Sequence, residues 1–236
     1  MKPLKSLSSF GMILLLASLT LFGCGTDSSN GAGGDGDSKK YVIATDATYA
    51  PMEYMDDEGN IVGTDIDIVN AIAEELDIEV EFKNYGWEPL FTAVQNGEVD
   101  FAVSSITITD ERKQTFDFSE PYYAANQLIL VPEDSEVEKF EDLKDSKVSV
   151  QINTTGHEVV KGLLGMTSSK IVATETMPLA ISEMINGNAD AAIGDNAVIN
   201  EYKKNNPKVK LKTVEDSAFE KEYYGLMVKK GNTELI

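Results

Sequence analysis

The sequence is poor in the residues on which most enzymes and metal proteins are built. Among its 236 residues there is one Cys, one His, one Trp and one Arg: Cys24, His157, Trp87 and Arg112. A single Cys excludes an internal disulfide framework and any site made of several thiolates. A single His excludes clusters of imidazoles. Positive charge is scarce as well, with 20 Lys and Arg against 40 Asp and Glu and a formal charge of −20. A surface of that sign repels phosphate backbones, so nucleic acid is not an expected partner; excess acid also serves plain solubility. Long apolar runs are absent too. The most apolar stretch, Phe10 to Phe22, is too short for a comfortable membrane span. Hydrophobic residues still make up 42% of the chain, enough to bury a core.

That stretch follows a basic start at Lys2 and Lys5, which together make the parts of a secretory leader. It ends Leu21-Phe22-Gly23-Cys24, which resembles the bacterial lipoprotein signal, where cleavage before the cysteine leaves it to be lipidated. Phe22 is atypical of that pattern, and an ordinary leader with an incidental Cys is the plainer alternative. The expectation is a signal peptide over 1–24, lipidation at Cys24, and a protein held on the extracytoplasmic face of the cell membrane. Residues 25–40, GTDSSNGAGGDGDSKK, have no apolar periodicity and predict a flexible tether.

Beyond the tether, β-branched runs alternate with amphipathic segments. Tyr41–Thr45 reads as a strand. Asp65 is placed to cap a helix reaching Leu76, with Val69, Ile72, Ala73 and Leu76 on one buried face. Ile78, Val80 and Phe82 alternate with charged residues, as in a half-buried strand. Pro89 to Asn96 predicts a short helix stopped by Gly97, and Val99–Val103 the next strand. Such βαβ alternation implies open, mostly parallel sheets. The pattern then repeats: Asn96-Gly97-Glu98-Val99-Asp100 is matched by Asn186-Gly187-Asn188-Ala189-Asp190, and Lys40–Thr45 by Lys147–Ile152. Two similar α/β lobes are expected, 41–125 with 216–236 and 126–215, joined by two crossings. Ligands of such sheets sit beyond the carboxyl ends of the strands, here Asp46, Ser104-Ser105, Asn153-Thr154-Thr155 and Gly194-Asp195. The same residue types also cap helices, a role left open for Thr155 and Asp195.

Thr45-Asp46-Ala47-Thr48-Tyr49-Ala50-Pro51, Gly63-Thr64-Asp65-Ile66-Asp67, Ser104 through Arg112, and Phe116-Asp117-Phe118-Ser119-Glu120-Pro121-Tyr122 occur in order. In this the chain, over about 40–236, resembles the polar amino-acid-binding proteins of ABC importers, most of all the basic amino acid- and arginine-binding lipoproteins. It departs in carrying Thr64 where an aromatic is usual. The resemblance also places a helical segment after the position of Ile236, so a fragment is expected. The implied fold is the type II periplasmic-binding-protein fold, two lobes of open sheet flanked by helices and joined by two hinge crossovers. The implied partners are an L-amino acid, the transmembrane subunits of a permease and, through Cys24, the membrane. The protein is expected to be a monomer without catalytic residues, metal or cofactor.

Arg112 closes a segment with four hydroxyls, Ser104, Ser105, Thr107 and Thr109. Its guanidinium fits a carboxylate bidentately, which Lys does not. The resemblance implies that Arg112 and these hydroxyls hold the ligand α-carboxylate, with Thr154 and Thr155 adding donors at a helix start; a surface salt bridge to Asp110 or Glu111 is the alternative. Asp195, assisted by Ser105, is implied as acceptor of the α-ammonium. Tyr49 and Trp87 are implied to sandwich the ligand side chain, with core packing the alternative for Trp87. Asp46 and Glu53 would meet a cationic group there, which favours Arg, Lys or His over Gln. His157 reads as an exposed helix residue, and Ser104 with His157 lacks a hydrolase motif. A sensor ectodomain or a dehydratase on the same fold are rival readings.

Overall fold

The computed structural model describes residues 40–236. The expected leader, Cys24 and the tether up to Lys39 lie outside the described residues.

Two five-stranded sheets share one topology. In the first, the order is Glu79–Asn84, Lys40–Thr45, Phe101–Ala102, Met227–Lys229, Phe116–Phe118. The first three are parallel and the last two join antiparallel. The second runs Ile171–Thr174, Val148–Gln151, Ala191–Asp195, Gln127–Pro132, Leu211–Val214, again three parallel strands and two antiparallel. The internal repeat has a physical cause. In each lobe a helix ends on a glycine with positive φ, Gly97 at 75° or Gly187 at 77°. Three residues later an Asp carboxylate accepts the N–H at the start of the central strand: Val42 N to Asp100 at 2.8 Å, Lys147 N to Asp190 at 2.7 Å. The strand expected over Val99–Val103 pairs only at Phe101–Ala102.

Helices cover both faces of each sheet: α1 (Thr64–Leu76), α2 (Trp87–Asn96), a short α3 (Arg112–Thr115), α4 (Thr155–Leu164), α5 (Met177–Ile185) and α6 (Asn196–Asn205). Neighbouring strand residues therefore enter different cores. Ala44, Ala102 and Met227 pack with Leu90 and Val94 of α2, while Ile43, Phe101 and Val228 pack with Val69 of α1. In the second lobe, Ile129 and Ile193 meet Val160 of α4, and Leu130 and Ala192 meet Ile181 and Met184 of α5. Burial on both faces is why these strands read as continuous apolar runs.

Helix α1 differs from expectation. Gly63 is its N-cap, at φ 129°, where a Cβ would lie 2.3 Å from the Met52 carbonyl oxygen. Asp65 does not cap; its carboxylate turns inward and accepts the Ser105 N–H at 2.7 Å. The buried stripe is accordingly Asp65, Ile66, Val69 and Ala73, which leaves Ile72 and Leu76 exposed.

The chain crosses between the lobes as an antiparallel ribbon, Tyr123–Ala125 against Glu222–Tyr224. Tyr49 and Met52 of the first lobe pack in one cluster with Met177 and Ala180 of α5, so the lobes are in contact.

Candidate functional site

The site forms where both sheets present the carboxyl ends of their parallel strands. After Thr45 the Asp46 N–H donates to Ser104 Oγ at 3.0 Å and the Ala47 N–H to Asn84 Oδ1, so three strand ends are tied together. Ser105 and Asn153 hold positive φ, 49° and 56°, each just past the carboxyl end of a parallel strand in its own lobe. Non-glycine residues in that region are uncommon and cluster at functional sites. Asn153 is held by its N–H, which donates to His157 Nδ1 at 2.9 Å.

All eleven residues expected to contact ligand line one narrow cavity between the lobes: Asp46, Tyr49, Glu53, Trp87, Ser104, Ser105, Thr107, Arg112, Thr154, Thr155 and Asp195. Gln151 joins them. Several bonds span the cleft. Trp87 Nε1 donates to the Asn153 carbonyl at 3.2 Å, and Gln151 Nε2 to Asp46 Oδ2 at 3.0 Å. Arg112 donates from Nη1 to the Thr107 carbonyl at 2.9 Å and from Nη2 to that of Asn153 at 3.5 Å. Its guanidinium carbon lies 5.3 Å from the ring centroids of both Trp87 and Phe91, a cation–π arrangement that fixes the fork. Burial lowers its pKa, and the nearby Glu222 and Asp195 oppose that. The alternative of a surface ion pair with Asp110 or Glu111 is not what the geometry gives.

Asp195 ends its strand and is buried. It accepts hydrogen bonds from Gln127 Nε2 at 2.6 Å and from the Tyr224 hydroxyl, with the Tyr49 hydroxyl a third partner. Burial, and then Glu222, raise its pKa to about 6. Behind the cavity Glu53 and Asp65 face each other with no solvent exposure. Glu53 accepts from Ser104 Oγ at 2.9 Å and Ser105 Oγ at 3.2 Å, Asp65 from Ser105 N and the Tyr122 hydroxyl. Burial, with Asp65 next to it, pushes Glu53 well above the usual carboxyl range, and burial takes Asp65 to about 6. Burial raises Asp46 too, against the bonds from Thr48 and Gln151.

Four expectations need correction or refinement. Thr154, not Thr155, caps α4: its hydroxyl accepts the His157 N–H at 3.2 Å, which frees the Thr155 hydroxyl for the cleft. Asp195 occupies the N-cap position of α6 but makes no side-chain cap bond, its oxygens being taken by Gln127 and the tyrosines. Thr109 accepts the Arg112 N–H at 3.1 Å and so positions α3. His157 is buried rather than exposed, because its ring turns back to hold Asn153. Burial, then Lys161, lowers its pKa.

The sequence reading missed Asp65, Gln127, Gln151, Glu222 and Tyr224. Gln127 carried a signal, an amide at the head of the buried run Leu128–Val131. Glu222 carried none. Among the described residues no group of His, Cys, Asp and Glu is arranged to hold a metal ion, and no helix is long and apolar enough to cross a membrane.

Comparison with known proteins places the chain in a family. The family described as bacterial extracellular solute-binding proteins, family 3, matches residues 41–236. A probable histidine-binding protein of Neisseria gonorrhoeae is 40% identical over 221 residues, which cover 93% of this chain and 82% of that protein. The arginine-binding extracellular protein ArtP of Bacillus subtilis is 31% identical, with 89% and 82% covered. Among solved structures, the arginine-, lysine-, histidine-binding protein ArtJ from Geobacillus stearothermophilus superposes with a TM-score of 0.80 at 48% identity, covering 83% of this chain and 84% of that one.

Proposed function

The chain belongs to the bacterial extracellular solute-binding proteins, family 3, and from that premise we propose that it captures an L-amino acid with a cationic side chain, Arg, Lys or His. The observation that carries this reading is the charge of the site. Asp46, Asp195 and Glu222 face a cleft in which Arg112 is the one guanidinium, with the buried Glu53–Asp65 pair beneath it. With Arg112 matched by the ligand α-carboxylate and Asp195 by its α-ammonium, Asp46 is left to be matched by a cationic side chain.

In this reading the α-carboxylate meets Arg112 and the hydroxyls of Thr107 and Thr155. The α-ammonium meets Asp195 and Ser105. The side chain lies between Tyr49 and Trp87 toward Asp46. These contacts come from both lobes, so a ligand stabilises the closed arrangement over the open one and binding becomes hinge closure. The protein then hands its ligand unchanged to the membrane subunits of an ABC permease. A lipid on Cys24 and the tether after it would hold the protein at the extracytoplasmic face within reach of that permease. The relatives named for histidine, arginine and lysine support the side-chain class.

Calorimetric titration of the purified protein with Arg, Lys, His, Gln, Glu and cystine tests it. Tight one-to-one heat with a basic amino acid and none with Gln is the expected result. Heat with Gln alone overturns the charge reading. A folded protein giving no heat with any of the six overturns amino-acid capture.

A further inference from the structure

Glu222 stands on the crossing ribbon, yet its carboxylate is in the ligand cleft. Oε2 accepts from Thr107 Oγ1 and from Thr155 Oγ1, both at 2.7 Å, and Oε1 accepts from Gln127 Nε2 at 3.1 Å. Thr107 belongs to the first lobe, while Thr155 opens α4 of the second. Arg112 is adjacent, donating to backbone carbonyls, with Glu222 the foremost charge acting on it. The chain thus places one of its own carboxylates among donors that the amino-acid reading assigns to the ligand.

Proton counting makes this a conflict. A threonine hydroxyl has one proton to donate, and an ionised carboxylate only accepts. While Thr107 and Thr155 give their protons to Glu222, they turn lone pairs toward anything else in the cleft. A ligand carboxylate arriving there meets two acceptors where it needs donors. Glu222 also lines a wider opening beside the cavity, together with Phe91, Arg112 and Thr155, so its side chain has somewhere to go.

We infer that Glu222 is a tethered stand-in for the ligand carboxylate: it occupies the Thr107 and Thr155 hydroxyls and bridges the lobes in the ligand-free protein, and a free amino acid must displace it. The inference rests on the amino-acid reading above. It makes Glu222 a specificity-determining residue, because only ligands with a carboxylate compete with it. An amine of the same side chain without a carboxylate finds the donors already satisfied and the negative charge in place.

The experiment compares wild type, Glu222→Gln and Glu222→Ala by calorimetry. The probes are whichever basic amino acid binds wild type and its decarboxylated amine: agmatine for Arg, cadaverine for Lys, histamine for His. Glutamine at 222 keeps the size of the side chain, and melting curves check that both variants fold. Both variants are expected to bind the amino acid more tightly, by roughly tenfold if the bridged state holds about nine-tenths of the ligand-free molecules. The amine should bind the variants more weakly, since an anion has been removed. The ratio of amino-acid to amine affinity therefore rises in both. An unchanged or falling ratio in folded variants, with the amino acid still bound by wild type, overturns the role of Glu222 alone. No binding of any amino acid by wild type overturns the reading beneath it as well.

Discussion

The indole N–H of Trp87, in the first residue of α2, donates to the backbone carbonyl of Asn153 in the other lobe at 3.2 Å. The same ring carries the Arg112 guanidinium on its face and packs edge-on against Phe91, with centroids 4.9 Å apart. Trp87 is the only tryptophan in the chain. Its environment depends on whether the lobes are closed, so its fluorescence reads the hinge directly. Ligand added to the protein is expected to change the Trp87 emission in a saturable way, with the midpoint of the calorimetric titration. Trp87→Phe keeps an apolar ring but loses the cross-cleft bond, and its affinity should fall about threefold to tenfold, the worth of one hydrogen bond. A spectrum indifferent to bound ligand would place closure somewhere other than at Trp87.

Arg112 is separable from its charge. Lysine restores one positive charge but neither the planar fork nor the stacking between Trp87 and Phe91. Charge-assisted hydrogen bonds contribute about 1.5–3 kcal/mol, so Arg112→Ala should weaken binding by about tenfold to 150-fold or more. Arg112→Lys should recover only a small part of that. Neither change should lower the melting temperature greatly, because α3 is short and Arg112 is not among the buried core residues. Calorimetry of the two variants beside wild type decides the matter; a Lys variant binding as tightly as wild type would remove Arg112 from the carboxylate contact.

The acidity of Asp195 sets a pH dependence of known sign. Its pKa in the folded protein is about 6, raised from the ordinary value of 3.8 by burial and by Glu222. A raised carboxyl stabilises the fold through its protonated form, fully below about pH 3.8, and that contribution is lost as pH rises through about 6. Ligand binding runs the other way. An ammonium group needs Asp195 ionised, so binding below pH 6 must expel a proton. Affinity should be flat from pH 7 to 8 and fall below pH 6 by at most about tenfold per pH unit. At pH 5.5 the binding enthalpy should vary with the ionisation heat of the buffer, and at pH 8 this proton should not contribute. Asp195→Asn should bind weakly at every pH. A wild-type affinity independent of pH between 5 and 8 would take Asp195 out of contact with the ammonium.

Much of this architecture was legible because it rests on local chemistry. The repeated Asn-Gly…Asp segment announced two alike lobes, since each copy needs a glycine with positive φ and a carboxylate to begin a strand. The strand-end residues could be named because open sheets present them to a common cleft. What could not be read was the direction of a side chain set by partners far away in sequence. Asp65 has the composition of a cap, but Ser105 and Tyr122 draw it inward. His157 looks like a surface residue until Asn153 is seen to need an acceptor. Glu222 lies in an acidic, unremarkable stretch, and its place in the cleft comes from pairing of the two crossing strands, 97 residues apart at Glu222 and Ala125.

The last test concerns the carboxyl pair beneath the cavity. Glu53 and Asp65 are both fully buried, and two adjacent carboxylates in such a place do not both ionise. Burial and the neighbouring Asp65 push Glu53 well above the usual carboxyl range, so Glu53 is the partner that keeps the proton, while Asp65, supported by the Ser105 N–H and the Tyr122 hydroxyl, is the charged one. A protonated carboxyl and a carboxamide have nearly the same shape and both donate one way while accepting the other. Glu53→Gln should therefore be tolerated, changing stability by under about 1 kcal/mol at pH 7, with its amide donating to Asp65 and its carbonyl accepting from Ser104. Glu53→Leu leaves Ser104, Ser105 and an Asp65 carboxylate without their partner and should cost about 3 kcal/mol or more. The two proteins also differ from wild type in how they respond to alkali. Wild type must surrender a buried proton as pH rises through the upper pKa of the pair and loses stability there, whereas the Gln variant has no such proton to lose. Urea unfolding at pH 7 and pH 9 measures both effects: a wild type that becomes less stable at the higher pH while Glu53→Gln does not is the expected outcome, and a Gln variant as damaged as the Leu variant would mean that Glu53 is ionised in the native protein.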